Sequence, residues 1–136
     1  MATKNSTSIS WNVEQEEYFN WRLPGIRFNV REAKKVLATK SHKIHDVEIT
    51  DIANDLLCMR PKDGRQVLKI GGIKVEWTRV DNEGVDLTVP IILAETKYGT
   101  MVIDGWHRIA KAYTLGLKTL PGVVLTKEET KGVEVS

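Results

Sequence analysis

The chain has 136 residues, of which 41% are hydrophobic and 28% charged, with a formal net charge of +2. This suffices for one domain with a real core but not for two, and so small a charge assures no polybasic face for nucleic acid. A lone cysteine, Cys58, excludes an internal disulfide and suits a reducing compartment; no apolar run is long enough to span a membrane and the polar start is no secretory signal, so a cytoplasmic location is expected.

Residues 1–22 read as an N-terminal arm. Met1 to Ser10 are small and polar, as in a mobile tail. Trp11 to Trp21 then mixes three acids with Trp11, Tyr18, Phe19 and Trp21. These aromatics either pack on the domain or offer a contact surface to a second copy or a host protein. Leu23-Pro24-Gly25 breaks the chain, and Asn29 is placed to cap a helix over Val30 to Thr39, with Glu32 in its first turn. The apolar face of that helix is Val30, Ala33, Val36 and Leu37. Arg31, Lys34, Lys35 and Lys40, with Lys43, form the densest basic run, which is either a solvated face or, if it lies near an anion site, a set of contacts to phosphates or a nucleic-acid backbone.

Partial alternation predicts a strand over Val47 to Thr50 and a short helix from Thr50-Asp51 through Leu57. His42 and His45 stand three apart without a further ligand pattern and read as exposed loop residues. Cys58 sits beside Leu56, Leu57 and Met59, as a small buried residue does. Arg60 to Arg65 is a turn-rich loop with three cations. Gln66 to Ile70 and Ile73 to Val80 resemble strands joined by Gly71-Gly72, and Asp81-Asn82-Glu83-Gly84 makes a second turn. Val89 to Leu93 looks like a buried strand entered through Pro90, and Tyr98-Gly99 turns the chain into Met101 to Ile103.

The stretch Thr100 to Leu115 carries most of the chemistry. An apolar strand, Met101 to Ile103, meets the corner Asp104-Gly105-Trp106-His107-Arg108, and Ile109, Ala112 and Tyr113 then recur at helical spacing up to Gly116. Asp104 is placed to cap the helix and Gly105 to take the angle of the turn. Amides at the positive end of a helix, with His107 and Arg108 beside them, describe an anion site suited to phosphate. After Gly116 a strand over Val123 to Leu125 and a charged tail, Lys127 to Ser136, finish the chain.

This corner, followed by Ile109-Ala110-Lys111-Ala112 and by Pro121-Gly122-Val123-Val124-Leu125, resembles the ParB/sulfiredoxin superfamily. The likeness covers roughly Leu87 to Leu125. Gly105, His107 and Arg108 match the sulfiredoxin Gly-Cys-His-Arg corner, and Asp104 and Gly105 match that of the related free-serine kinases. Trp106 stands where sulfiredoxins carry their catalytic cysteine, so sulfinic acid reduction is not expected. The resemblance implies an α+β fold, a single compact domain over 23–126 with helices packed on a mixed sheet. It also implies ATP or CTP phosphates at the corner, with magnesium as a candidate companion.

In that reading Gly105, Trp106, His107 and Arg108 bind the nucleotide. Asp104 and His107 are the candidate catalytic residues, and Asp104 is also the candidate magnesium contact. Phosphoryl transfer or nucleotide hydrolysis is the reaction such a corner serves. Glu48, Asp51 and Asp55 are candidate bases by order alone, since an early acid serves as base in the kinases. Two alternatives stand beside it. One is a DNA-binding or nuclease protein using the lysines of Arg31 to Lys43 or Arg60 to Arg65; the other is a nucleotide-free interaction module of a mobile element using the aromatics of Trp11 to Trp21.

Overall fold

A computed structural model describes residues 5–21, 25–52, 67–70, 73–76, 80 and 85–135. In chain order its elements are β1 (Tyr18–Trp21), β2 (Ile26–Asn29), α1 (Val30–Thr39), β3 (His45–Glu48), β4 (Val67–Ile70), β5 (Ile73–Glu76), β6 (Ile91–Thr96), β7 (Gly99–Asp104), α2 (Trp106–Thr114), β8 (Thr119–Leu125), α3 (Lys127–Val133) and β9 (Glu134–Val135). The predicted Gly71-Gly72 and Asp81 to Gly84 turns, Cys58, Asp55 and the Arg60 to Arg65 loop lie outside the described residues.

The central sheet has the order β3-β8-β6-β7 and is mixed: β6 and β8 run parallel, while β3 and β7 are antiparallel to their neighbours. Strand side chains alternate between faces, so β6 feeds two cores at once. Ile92 and Ala94 join Ile103, Val123 and Leu125 on one face, packed against Ala33 and Leu37 of α1, Val133 of α3, and the arm residues Trp11 and Phe19. Ile91 and Leu93 join Val102 and Leu120 on the other, under Ile109 and Ala112 of α2. This double burial is why the run Ile91 to Ala94 is continuously apolar. The result is a single compact α+β domain, with helices on both faces of a mixed sheet.

Helix α1 has the predicted limits. The Asn29 side chain accepts from the Glu32 amide at 3.1 Å, satisfying one of the unpaired donors of the first turn. Strand β3 starts two residues before its predicted position, and Thr50, Asp51 and Ile52 are helical as expected. Strands β4 and β5 pair antiparallel, as their β-branched content suggested.

Four features of the periphery add to or correct the expectations. The arm packs on the domain, one of its two readings, and does so through an unforeseen strand: β1 pairs with β2, Trp11 and Phe19 are buried, and Phe19 stacks on Phe28 at 6.4 Å. Within the segment read as a mobile tail, Ser6 is fully buried and tied to the end of α1, its amide donating to His42 O at 2.8 Å and its hydroxyl to Lys40 O at 2.9 Å. The charged tail is a helix and a strand. Thr126 and Glu129 form a capping box that starts α3, and β9 pairs with β2.

The fourth concerns His42, which is not a solvated loop residue. Its Nδ1 lies 2.8 Å from Lys40 O and its Nε2 lies 2.8 Å and 2.9 Å from the two carboxylate oxygens of Glu129. Both ring nitrogens therefore have an oxygen within hydrogen-bond distance. Burial pushes the Glu129 carboxyl up, but hydrogen bonds from His42 and from the Thr126 amide outweigh it and hold the group below its ordinary 4.5. A carboxyl depressed by folding stabilises the fold above its unfolded-state value, and that contribution is lost as pH falls through the folded value. Glu129→Gln is therefore expected to flatten the loss of unfolding free energy between neutral pH and about pH 3, measured by denaturant titration. An unchanged slope would show that this clasp plays no part in acid sensitivity.

Candidate functional site

The corner between β7 and α2 is built around Gly105. Its φ of 116° lies in the left-handed region. A Cβ there would stand 2.8 Å from Ile91 Cβ, closer still to Ile91 Cγ2, and 3.2 Å from Arg108 Nη2. Glycine is thus required twice over, by backbone angle and by the strand packed beneath it.

Gly105 also occupies the cap position of α2, and this corrects the role expected of Asp104. No side chain caps the helix, and its first helical bond runs from the Ile109 amide to Gly105 O at 3.0 Å. Asp104 is the last residue of β7, one position too early to cap. Its carboxylate instead accepts from Arg108 Nη2 at 3.0 Å, one helical turn on. Nη2 also donates to Pro90 O at 3.3 Å, so Arg108 braces the corner against the entrance of β6. Among the described residues, two donors at this corner are buried without an acceptor, Arg108 Nε and Trp106 Nε1. An orphaned buried donor is costly and uncommon.

The corner forms one wall of a cleft of about 800 Å³. Asp104, Gly105, Trp106, His107 and Arg108, the corner residues proposed for catalysis or binding, all line it. The segment Val85, Asp86 and Val89 forms a second side. The arm, from Asn12 and Gln15 to Phe19, with Val30 and Lys34 of α1, forms the third.

Each of the two cations Lys34 and Arg108 in the cleft has an acid beside it. Lys34 Nζ pairs with Glu17 at 2.5 Å, and Arg108 with Asp104. Asp86 adds a third acid; the hydroxyl and amide of Thr88 hold its carboxyl below the ordinary 3.8, and Arg108 contributes a smaller pull in the same direction. Of the basic run, only Lys34 reaches the cleft. Arg31 donates to Val13 O at 2.7 Å, Lys35 pairs with Glu32 at 3.2 Å, and Lys40 stands 3.8 Å from Glu129.

The acids proposed as bases are elsewhere: Glu48 and Asp51 are exposed at the β3 edge and do not line the cleft. The acids that do line it besides Asp104, Glu17 and Asp86, carry no motif that sequence reasoning could use, because tertiary packing alone brings them to the corner. Among the described residues no three His, Cys, Asp or Glu side chains are grouped to hold a metal ion. Asp104, the expected magnesium contact, has its charge committed to Arg108. The described helices include none long and apolar enough to cross a membrane. Comparison with protein-family models, curated proteins and solved structures finds no match to this chain.

Proposed function

We propose that the cleft binds a nucleoside triphosphate, ATP or CTP, with its phosphates at the Gly105 corner, in the manner of the ParB/sulfiredoxin class and in a cytoplasmic setting. The observation that carries the reading is the uncapped start of α2 on the cleft wall, beside Arg108 and Trp106, whose buried Nε and Nε1 find no acceptor among the described residues. The positive end of α2 favours an anionic ligand, and the two donors would gain an acceptor if the corner adjusts around one. A volume of about 800 Å³ is within the range of small-molecule sites.

The corner residues then divide the work. Gly105 lets the backbone approach the ligand, Arg108 supplies the fixed charge, and His107 is a second contact at the helix start. Asp104 holds the guanidinium in place rather than capping the helix or taking a metal. Nucleotide would bring the transferable phosphoryl group, and the chain's part is positioning and charge neutralisation.

The DNA-binding reading draws less support. Of the cations it needs, Arg31, Lys34, Lys35 and Lys40 lie beside the Val13 carbonyl, Glu17, Glu32 and Glu129, and Arg60 to Arg65 lie outside the described residues. The interaction-module reading needs exposed aromatics on the arm; of those described, Trp11 and Phe19 are core residues and Tyr18, 37% exposed, is covered on one side by the Arg27 guanidinium, while the Trp21 side chain lies outside the description.

Calorimetric titration of ATP and CTP with magnesium tests the proposal. Wild type is expected to bind at least one of them, and Arg108→Ala, checked for folding by circular dichroism, to bind about tenfold or more weakly, as loss of a charge-assisted contact implies. Absence of binding by either nucleotide to wild type would sink it.

A further inference from the structure

The cation across the cleft from the corner is already occupied. Lys34 projects from the rigid helix α1, its side chain only 11% exposed, and its ammonium is held by the Glu17 carboxylate, which is 41% exposed. A buried ammonium requires an anion, and here the chain supplies its own.

Glu17 lies on a segment of different character from the rest of the wall. Between the buried Trp11 and the start of β1, residues 12–17 form neither helix nor strand, and Asn12, Glu14, Gln15 and Glu16 are exposed. Among the described residues, three polar contacts hold this strap to the domain, all from the first turns of α1. They are Val30 N–H to Glu17 O at 2.9 Å, Arg31 Nε to Val13 O at 2.7 Å, and the Lys34–Glu17 pair itself. Lys34 thus stands on a helix and Glu17 on an irregular strap, of which Val13 packs on the core.

We infer that Lys34 is a second anion-binding position of the cleft and that Glu17 is an intramolecular competitor for it, released when an outer phosphate takes its place. The inference rests on the nucleotide-phosphate reading above. As it stands, the cleft presents the acids Glu17, Asp86 and Asp104 against the cations Lys34 and Arg108, so an incoming polyanion meets an excess of negative charge. Displacing Glu17 reverses this balance locally and gives Lys34 a more highly charged acceptor. A site populated in the open form only a fraction of the time binds its ligand more weakly by that fraction. The strap therefore sets the ligand concentration at which the cleft fills.

The test is titration of inorganic tripolyphosphate into the full chain as wild type, Glu17→Gln, Lys34→Gln and the double variant, with thermal melts to confirm folding. Glu17→Gln is expected to bind about tenfold more tightly than wild type, and the gain to vanish in the double variant. Hydrogen exchange on the wild type supplies a second readout that needs no substitution: protection of the Val30 amide, which donates to Glu17 O, is expected to fall on saturation with tripolyphosphate. If wild type binds but Glu17→Gln binds no tighter, or the Val30 amide keeps its protection, the competition is overturned and the phosphate reading stands. If none of the four proteins binds tripolyphosphate, both are overturned.

Discussion

Replacing Gly105 with alanine is expected to destabilise the domain by about 2–5 kcal/mol, combining the cost of a left-handed backbone with overpacking against a buried strand. The added Cβ would overlap Ile91, a fully buried residue of the central strand β6, so neither side can yield without disturbing the sheet. Gly99 provides the internal control. Its φ of 113° is nearly the same, but a Cβ there meets nothing within 4 Å. Gly99→Ala should therefore pay only the backbone cost, about 1–2 kcal/mol. Denaturant titration of the two variants separates strain from overlap. Equal losses would mean that Ile91 relaxes at no cost and that the corner is softer than its packing implies. In a Gly105→Ala protein that does fold, ligand affinity should fall as well, since the backbone would have to shift at the helix start.

Phe28→Ala is expected to cost about 3–5 kcal/mol, the range for truncating a buried aromatic. Phe28 is fully buried in β2, stacks on Phe19 of β1, and belongs to the cluster that joins the arm to α1, α3 and the sheet. Removing it leaves a cavity and also frees the anchor at one end of the strap. Phe19→Ala, at a 6% exposed position nearer the surface, should cost less. The ordering is checked by equilibrium unfolding, and a larger loss for Phe19 would show that the arm, not the core, dominates this cluster. Hydrogen exchange should also report faster opening of residues 12–17 in Phe28→Ala than in a core variant on the α2 side, such as Ile109→Val.

Local signals account for the parts of this fold that the sequence made legible. Asn29 followed by Glu32 and a 3.6-residue apolar rhythm defined α1 to the residue, and the corner at Gly105 was marked by an apolar strand ending in Asp-Gly ahead of a helical pattern. Helix α3 escaped notice because Lys127 to Gly132 has no apolar rhythm; only the capping pair Thr126 and Glu129 announces it, and its buried residues are Thr130 and Val133. The clasp between His42 and Glu129 joins positions 87 apart in sequence, and no local pattern encodes such a distance. The same holds for Glu17 and Lys34. Asp104 was misassigned for a subtler reason: aspartate is the better cap by preference, but the left-handed turn makes Gly105 the cap and turns Asp104 toward Arg108.

Strand β2 has neighbours of opposite origin. Its pairing with β1 closes a short hairpin, whereas its pairing with β9 joins Phe28 to Glu134 and spans nearly the whole chain. The two sides of β2 are therefore expected to pair at different times: a hairpin closes in about microseconds, whereas the β9 side needs a contact between residues far apart in sequence. Until then the β2 edge, which carries the strand backing the arm, has unpaired amides and carbonyls, a template for pairing with another chain. Conditions that slow the docking of α3 should favour association over folding, even where the finished domain is stable.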